Sequence, residues 1–152
     1  PRTYVPELGT TVGEELLKIH LSYGPLIQKL LRKFNPSPAQ SARRASATGA
    51  VRALAHITGG GFFDNIPRVL PPRCDVIIRK GTWEIPPIFQ LLAQAGRISE
   101  LEMFHVFNMG IGLVALVAPD AADAIVRFIQ RQGHRAWILG EVVRGQRQTR
   151  LL

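Results

Sequence analysis

The stretch Leu54–Pro72, LAHITGGGFFDNIPRVLPP, sets three consecutive glycines between an apolar run and a short aromatic segment that stops at Ile66-Pro67. A brief apolar run bounded by turn residues reads as a buried strand, and Leu54–Ile57 fits that description. The glycines turn the chain, and Phe62–Ile66 reads as a short helix. Glycine accepts positive φ and lets another group approach the main chain closely. At a strand-to-helix junction, Gly59, Gly60 and Gly61 could aim several N–H groups into one concavity at a helix N-terminus, where partial positive charge favours an anion such as a phosphate. Thr58 adds a hydroxyl, and His56 or Arg68 could add charge. A tight turn with no ligand is the competing reading, and spacing alone leaves both open. The usual phosphate motifs do not match: no Gly-Lys-Ser/Thr follows, and the dinucleotide fingerprint lacks its third glycine.

Outward from this stretch the pattern is mixed. Val12, Leu16, Leu26, Ile27, Leu30, Leu31 and Phe34 recur at helical spacing, and Gly24-Pro25 divides them into two helices meeting at Tyr23-Gly24. Asn35–Gly49 (NPSPAQSARRASATG) has no apolar period and reads as a flexible surface loop. It is not a domain boundary, because too little chain precedes it to fold alone. CDVIIR reads as a strand. IPPIFQLLAQAG reads as a helix with Pro in the first turn, Ile88, Leu91, Leu92 and Ala95 on one face, and Gly96 as its stop. GIGLVALV is a further strand. PDAADAIVRFIQRQG is a helix with Ile125, Phe128 and Ile129 on one face, and its early Asp120 and Asp123 and late Arg127 and Arg131 suit the helix dipole. RAWILGEVV supplies a last strand, and RGQRQTRLL reads as a frayed tail. The order is α+β, with helices covering a sheet.

The 152 residues, 46% hydrophobic and 20% charged, have the composition of one globular domain rather than a disordered chain. The first residue is Pro1 and no charged-then-apolar leader follows, so the reading is a piece of a longer protein without a signal peptide. The longest apolar run, Ile111–Ala118, is far below the roughly 20 residues a membrane crossing needs, so a soluble domain is expected. Cys74 is the one cysteine; it excludes an internal disulfide, fits a reducing, cytoplasmic compartment, and reads as a buried core thiol. The net charge of +8 points to anionic or phosphorylated partners without choosing among them.

AHITGGGFFDNIPRVLP resembles the signature of the phosphoribosylformylglycinamidine cyclo-ligase (aminoimidazole ribonucleotide synthetase) family. LGTTVGEELL at Leu8–Leu17, HLSYGPLI at His20–Ile27, GTWEIPPIFQLLAQAG at Gly81–Gly96 and EMFHVFNMGIGLV at Glu102–Val114 are similar to family segments in the family's order. The likeness spans the chain apart from the Asn35–Ala47 loop and the two ends. It implies the C-terminal, substrate-side domain, a three-layer α/β/α sandwich with a mixed sheet of partly ferredoxin-like topology, with the N-terminal ATP-binding half absent. The family closes the imidazole ring of 5-aminoimidazole ribonucleotide from formylglycinamidine ribonucleotide, using ATP with magnesium. The resemblance therefore implies a homodimer as the full-length enzyme, and no turnover by this part alone. No metal or cofactor is expected on this domain, since no Asp and Glu cluster here has the look of a magnesium site.

Thr58, Gly59, Gly60, Gly61, Asn65 and Asn108 are the candidate substrate contacts, the glycine turn holding a ribose 5-phosphate and the two amides reaching ribose or amidine. Either asparagine could instead cap a turn. His20 and His56 fall inside family motifs and are candidates for proton transfer, although a histidine beside apolar neighbours is more often a structural donor. Asp64 stands where the family has Glu, placed to orient Arg68 or cap the short helix. Ile19 and Leu21 stand where the family has Pro and Arg, and His105 and Met109 where it has Arg and Cys. These read as divergence within the family.

Two alternatives belong to other classes. A basic nucleic-acid binder would use Arg43-Arg44, Arg144, Arg147 and Arg150, but few aromatics lie among them to stack bases. Selenophosphate synthetase, the hydrogenase maturation proteins and the amidotransferase preceding the cyclo-ligase share the general layout. FFDNIPRVLP, Trp83 and Pro86-Pro87 favour the cyclo-ligase branch.

Overall fold

A computed structural model describes residues 2–36 and 49–152. Most of the loop expected over 35–49 therefore lies outside the described residues. Elements follow in the order β1 (Tyr4–Val5), β2 (Thr10–Thr11), α1 (Val12–Leu16), α2 (Gly24–Phe34), β3 (Val51–His56), α3 (Gly61–Asn65), β4 (Cys74–Ile78), α4 (Pro87–Gly96), α5 (Glu100–Val106), β5 (Leu113–Val117), α6 (Ala122–Arg131), β6 (Gly140–Arg144) and β7 (Thr149–Leu151). The class is α+β. Strands form three ladders: a β1–β2 hairpin, an antiparallel β3–β5 pair, and β6–β4–β7 with β4 central. Among the described residues no helix is long and apolar enough to cross a membrane.

Local chemistry accounts for the helix starts. Thr11 caps α1 by accepting from the Glu14 N–H while the Glu14 carboxylate accepts from the Thr11 N–H, a capping box. Pro25 opens α2 and Pro87 opens α4, where a missing N–H costs nothing. At the end of α2 the Asn35 amide donates to the Val51 carbonyl at 2.7 Å and accepts from the Val51 N–H at 2.9 Å, tying the helix to the first residue of β3. Leu30 of α2 and Ile125 and Phe128 of α6 bury themselves with Val51. Phe34 meets Phe128 edge-on at 5.5 Å. Each such side chain contributes about 1.5–3 kcal/mol on burial. The larger core gathers Ala55 and Ile57 from the β3 segment, Phe62 and Ile66 around α3, Val76 and Ile78 from β4, and Trp83, Met103 and Phe104.

Several expectations change. The first of the two N-terminal helices stops at Leu16, and 18–23 carry no regular structure, so the helices do not meet at Tyr23-Gly24. Helix α4 runs through Gly96, and its left-handed C-cap is Arg97 at φ 51°. Phe89, Leu92 and Ala93 are the α4 residues packed on the core, while Ala95 is exposed. Helix α5 was not anticipated, although Ser99 three residues before Glu102 is a helix-start signature; the Ser99 hydroxyl accepts from the Glu102 N–H. Cys74 is half-buried rather than buried. The last expected strand, Arg135–Val143, is shortened: 135–139 join no ladder, and β6 begins at Gly140 and runs on to Arg144.

The largest correction concerns the tail. RGQRQTRLL is not frayed: Thr149–Leu151 form β7, parallel to β4 with Val76 opposite Thr149 and Ile78 opposite Leu151. Strand β6 runs antiparallel along the other side of β4, Arg144 opposite Cys74, so the chain crosses the start of β4 within Gly145–Gln148. The fully buried Asp75 receives that crossing. Its Oδ1 accepts from the Gln146 N–H at 2.6 Å and the Gln148 N–H at 2.9 Å, and its Oδ2 accepts from the Arg150 guanidinium at 2.6 Å. A side chain on Gly145 would run into this carboxylate. The Gln148 amide, then the Gln146 amide and the Arg150 charge, hold the Asp75 carboxyl below the usual carboxylate range although burial pushes the other way.

Asp75→Ala should lower Tm and release the amide protection of Thr149–Leu151 by hydrogen exchange while β3 and β5 keep theirs; retained β7 protection would contradict the assignment. Because the folded pKa of Asp75 is depressed, its stabilisation is complete above the unfolded value of about 4 and is lost as pH falls through the folded value. In urea titrations, the stability difference between the wild type and Asp75→Asn should therefore be large at neutral pH and shrink in acid. A difference independent of pH would show that the carboxylate charge is not what holds the tail.

Candidate functional site

The glycine turn sits where β3 ends and β5 begins. His56 pairs with Leu113 at the end of the ladder, and the Ile57 N–H continues it by donating to the Gly112 carbonyl at 2.9 Å. Thr58 and Gly59 are exposed, whereas Gly61 is buried. Asn65, itself buried, supports the turn from inside: its amide nitrogen faces the carbonyls of Gly61 at 2.8 Å and of Thr58 and Gly59 at 3.2 Å each. The Gly61 N–H closes the turn on the Thr58 carbonyl at 3.0 Å.

The three glycines have different reasons to be glycine. Gly61, at φ 52°, passes so close to the carbonyl oxygen of Phe104 near the end of α5 that no Cβ fits, and Gly60, at φ 91°, lies over Asp64. Gly59 has ordinary φ and nothing within 4 Å of where a Cβ would stand. The fold itself makes no demand for glycine there. Among the described residues, the N–H groups of Gly59 and Gly60 donate to no internal acceptor. The concavity expected from the sequence is thus reduced on one side, with the Gly61 N–H turned inward and those of its two predecessors unmatched.

Asn108 lies on the neighbouring turn, where its Oδ1 accepts from the Gly110 N–H at 3.0 Å. Trp83 fixes the same turn by donating its indole N–H to the Met109 carbonyl at 2.9 Å, and its ring meets Phe62 and Phe104 at 5.8 and 6.2 Å. Both asparagine amides are therefore engaged in holding turns. His56 is exposed, and its ring meets Tyr23 edge-on at 6.4 Å; the Tyr23 hydroxyl rests against Gly112. Burial pushes the Tyr23 hydroxyl pKa up. His20 is exposed on the stretch before α2 and makes no hydrogen bond to the glycine turn among the described residues.

Two contacts were not foreseen. Asp64 neither caps α3 nor pairs with Arg68. It faces His105 Nε2 at 3.9 Å, and the His105 ring stacks on Phe63 at 5.0 Å, so these side chains join α3 to α5. Sequence spacing held no signal for this pair, since 41 positions separate its members. Tyr23 was likewise missed as a neighbour of His56 and Gly112, because it reads simply as the residue before a helix. Among the described residues, no group of three or more His, Cys, Asp or Glu side chains is arranged to hold a metal ion.

Residues 29–152 match the family model described as AIR synthase related protein, C-terminal domain. The chain is 40% identical to a phosphoribosylformylglycinamidine cyclo-ligase of Caldicellulosiruptor bescii over 140 residues, which are 92% of this chain and 37% of that relative. It is 38% identical to the enzyme of the same name from Desulfatibacillum aliphaticivorans over 98% of this chain and 39% of the relative. For the Geobacillus thermodenitrificans cyclo-ligase the figures are 43% identity, 91% and 36%. The chain thus spans well under half the length of these curated relatives. It belongs to the AIR synthase related protein family and carries that family's C-terminal domain.

Proposed function

We propose that this chain is the substrate-side domain of an ATP-dependent cyclo-ligase that converts formylglycinamidine ribonucleotide to 5-aminoimidazole ribonucleotide in purine biosynthesis. The observation that carries the reading is the Thr58–Gly61 turn, exposed at Thr58 and Gly59, held from within by Asn65, and presenting two backbone N–H groups that meet no acceptor among the described residues. Backbone N–H groups on a rigid turn suit a phosphate oxygen, because they are oriented before the ligand arrives. The ribose 5-phosphate of the substrate is that ligand, with the Thr58 hydroxyl as a further donor. Asn65 acts through the turn it holds, and Asn108 through the neighbouring turn. His56, at the rim beside Thr58, is better placed than His20 to exchange a proton with a bound ribonucleotide.

ATP and magnesium belong to the remainder of the longer protein, together with the homodimer. Among the described residues no group of three or more His, Cys, Asp or Glu side chains is arranged to hold such an ion. This domain alone is expected to bind substrate without turnover, in the cytoplasm. In the complete enzyme its ladders are proposed to complete a three-layer α/β/α sandwich with partly ferredoxin-like topology; the antiparallel β3–β5 and β4–β6 pairs are compatible with that order. The basic surface is not read as a nucleic-acid site. Of the arginines such a site would use, Arg150 is taken up by the buried Asp75, and Arg43-Arg44 lie outside the described residues.

Titrating the isotope-labelled chain with formylglycinamidine ribonucleotide should shift the Gly59 and Gly60 amides with little dependence on salt. A short DNA duplex would lose affinity steeply with salt, as a polyanion does. Still glycine amides under saturating ribonucleotide would sink the reading. Gly59→Ala and Gly61→Ala should separate binding from folding. The first is expected to weaken ribonucleotide binding while changing stability by under about 1 kcal/mol. The second forces a side chain into a left-handed residue, worth about 1–2 kcal/mol, and against the Phe104 carbonyl, so it should lower Tm clearly. Equal losses of Tm in both would show that Gly59 is a folding residue after all.

A further inference from the structure

The segment between α1 and α2 exposes a run of large apolar side chains: Leu16 at 63%, Leu17 at 82%, Ile19 at 95% and Leu21 at 65%. Elsewhere the exposed large hydrophobics come singly or as the spaced pairs Leu101 and Val106, and Ile138 and Val142, and none forms a run of four within six positions. Contiguous apolar surface of this kind marks an interaction site. From Leu17 to Ser22 apolar and polar residues alternate, the pattern of a strand with one buried face. Yet 18–23 join no ladder, and the N–H groups of Ile19, His20, Leu21 and Ser22 donate to nothing among the described residues. An occupant would have to bury the side chains and also supply backbone partners, as the edge of a sheet does.

Chain length identifies that occupant. The C-terminal domain model begins at residue 29, beyond this segment, whereas the Desulfatibacillum aliphaticivorans cyclo-ligase matches 98% of the chain and so includes it. The segment is therefore shared with the whole cyclo-ligases while lying outside the domain proper. Those relatives carry about three-fifths of their length that this chain lacks, 39% of the relative being matched. Leu16 ends helix α1, Leu17 is its cap, and Ile19 and Leu21 extend the same exposed apolar run.

We propose that Leu16–Leu21 is the docking segment for the amino-terminal remainder of a cyclo-ligase, with Leu17 and Ile19 as its anchors and its unpaired backbone joining an edge of that remainder. The inference rests on reading the chain as the C-terminal part of a longer cyclo-ligase; it does not depend on how the glycine turn binds substrate.

The test co-expresses this chain with a tagged amino-terminal remainder of the Geobacillus thermodenitrificans cyclo-ligase, up to the start of its match, and measures capture on the tag. Wild type and Leu101→Asp, a change at another exposed leucine, should be captured alike. Leu17→Asp and Ile19→Asp should each cut capture by about tenfold or more, as loss of a central anchor does, with Tm unchanged because both sites are exposed. Equal capture of all four proteins would place the contact elsewhere, and capture of none would remove the remainder as occupant; either result overturns the proposal. Sedimentation showing a dimer of this chain that Ile19→Asp dissociates would give the segment to a second copy and overturn it as well. Ribonucleotide titration of the same proteins reads the substrate site separately, so failure there leaves the docking result standing.

Discussion

The buried carboxylate of Asp75 is the constraint on which the C-terminal third of the molecule depends. A charge removed from water is costly unless it is paired and hydrogen-bonded, and here two backbone N–H groups and one guanidinium satisfy it. The arrangement also solves a topological problem. Strands β6 and β7 flank β4 on opposite sides, so the chain must cross the start of β4 in Gly145–Gln148, where ladder pairing is interrupted. Asp75 accepts the N–H groups that the crossing leaves over. Further backbone bonds, from the Gly145 N–H to Arg73 and from the Arg147 N–H to Cys74, seat the crossing at that end of the strand. A parallel partner for β4 can then form from only three residues, with Thr149 reaching the Phe62 carbonyl and so linking β7 to the helix after the glycine turn.

That link joins the scaffold to the candidate site. Phe62 is fully buried against Trp83 and Phe104, Trp83 holds the Asn108–Gly110 turn through Met109, and the end of α5 presses its carbonyl oxygen against Gly61. The inner side of the glycine turn is therefore set by packing. Its outer side, at Thr58 and Gly59, is left to solvent. A turn packed on one side and open on the other would lose little freedom on binding a ligand, which is the physical content of preorganisation. The Asp64–His105 contact adds a second tie between α3 and α5 on the exposed side, reinforced by the stack of His105 on Phe63.

Legibility in the sequence followed the range of the interactions. Helices α2, α4 and α6 were readable because proline starts, apolar spacing and terminal charges act within a few residues. Strands β3, β4 and β5 were readable as apolar runs between turn residues. Strand β7 was not, because Thr149-Arg150-Leu151 is short and basic, and what makes it a strand is a carboxylate 71 to 75 positions away. The face of α4 was misplaced because Leu91 and Leu92 are equally apolar, and only the neighbouring core selects the Phe89, Leu92, Ala93 side. At the candidate site the glycine triplet stood out by composition alone, but which glycine serves the fold and which does not was invisible until the Phe104 carbonyl was in place.

By itself the sequence determined the α+β class, most helix starts, the strand-turn-helix around Thr58–Gly61 and the family likeness, since these depend on local propensity and on motifs contiguous along the chain. Only the tertiary structure decided that the tail is a strand, that Asn65 holds the turn from within, that Asp64 faces His105, and that Leu16–Leu21 is left uncovered. Each of those outcomes turns on groups far apart in sequence meeting, or failing to meet, once the core has closed, and no local pattern carries that information.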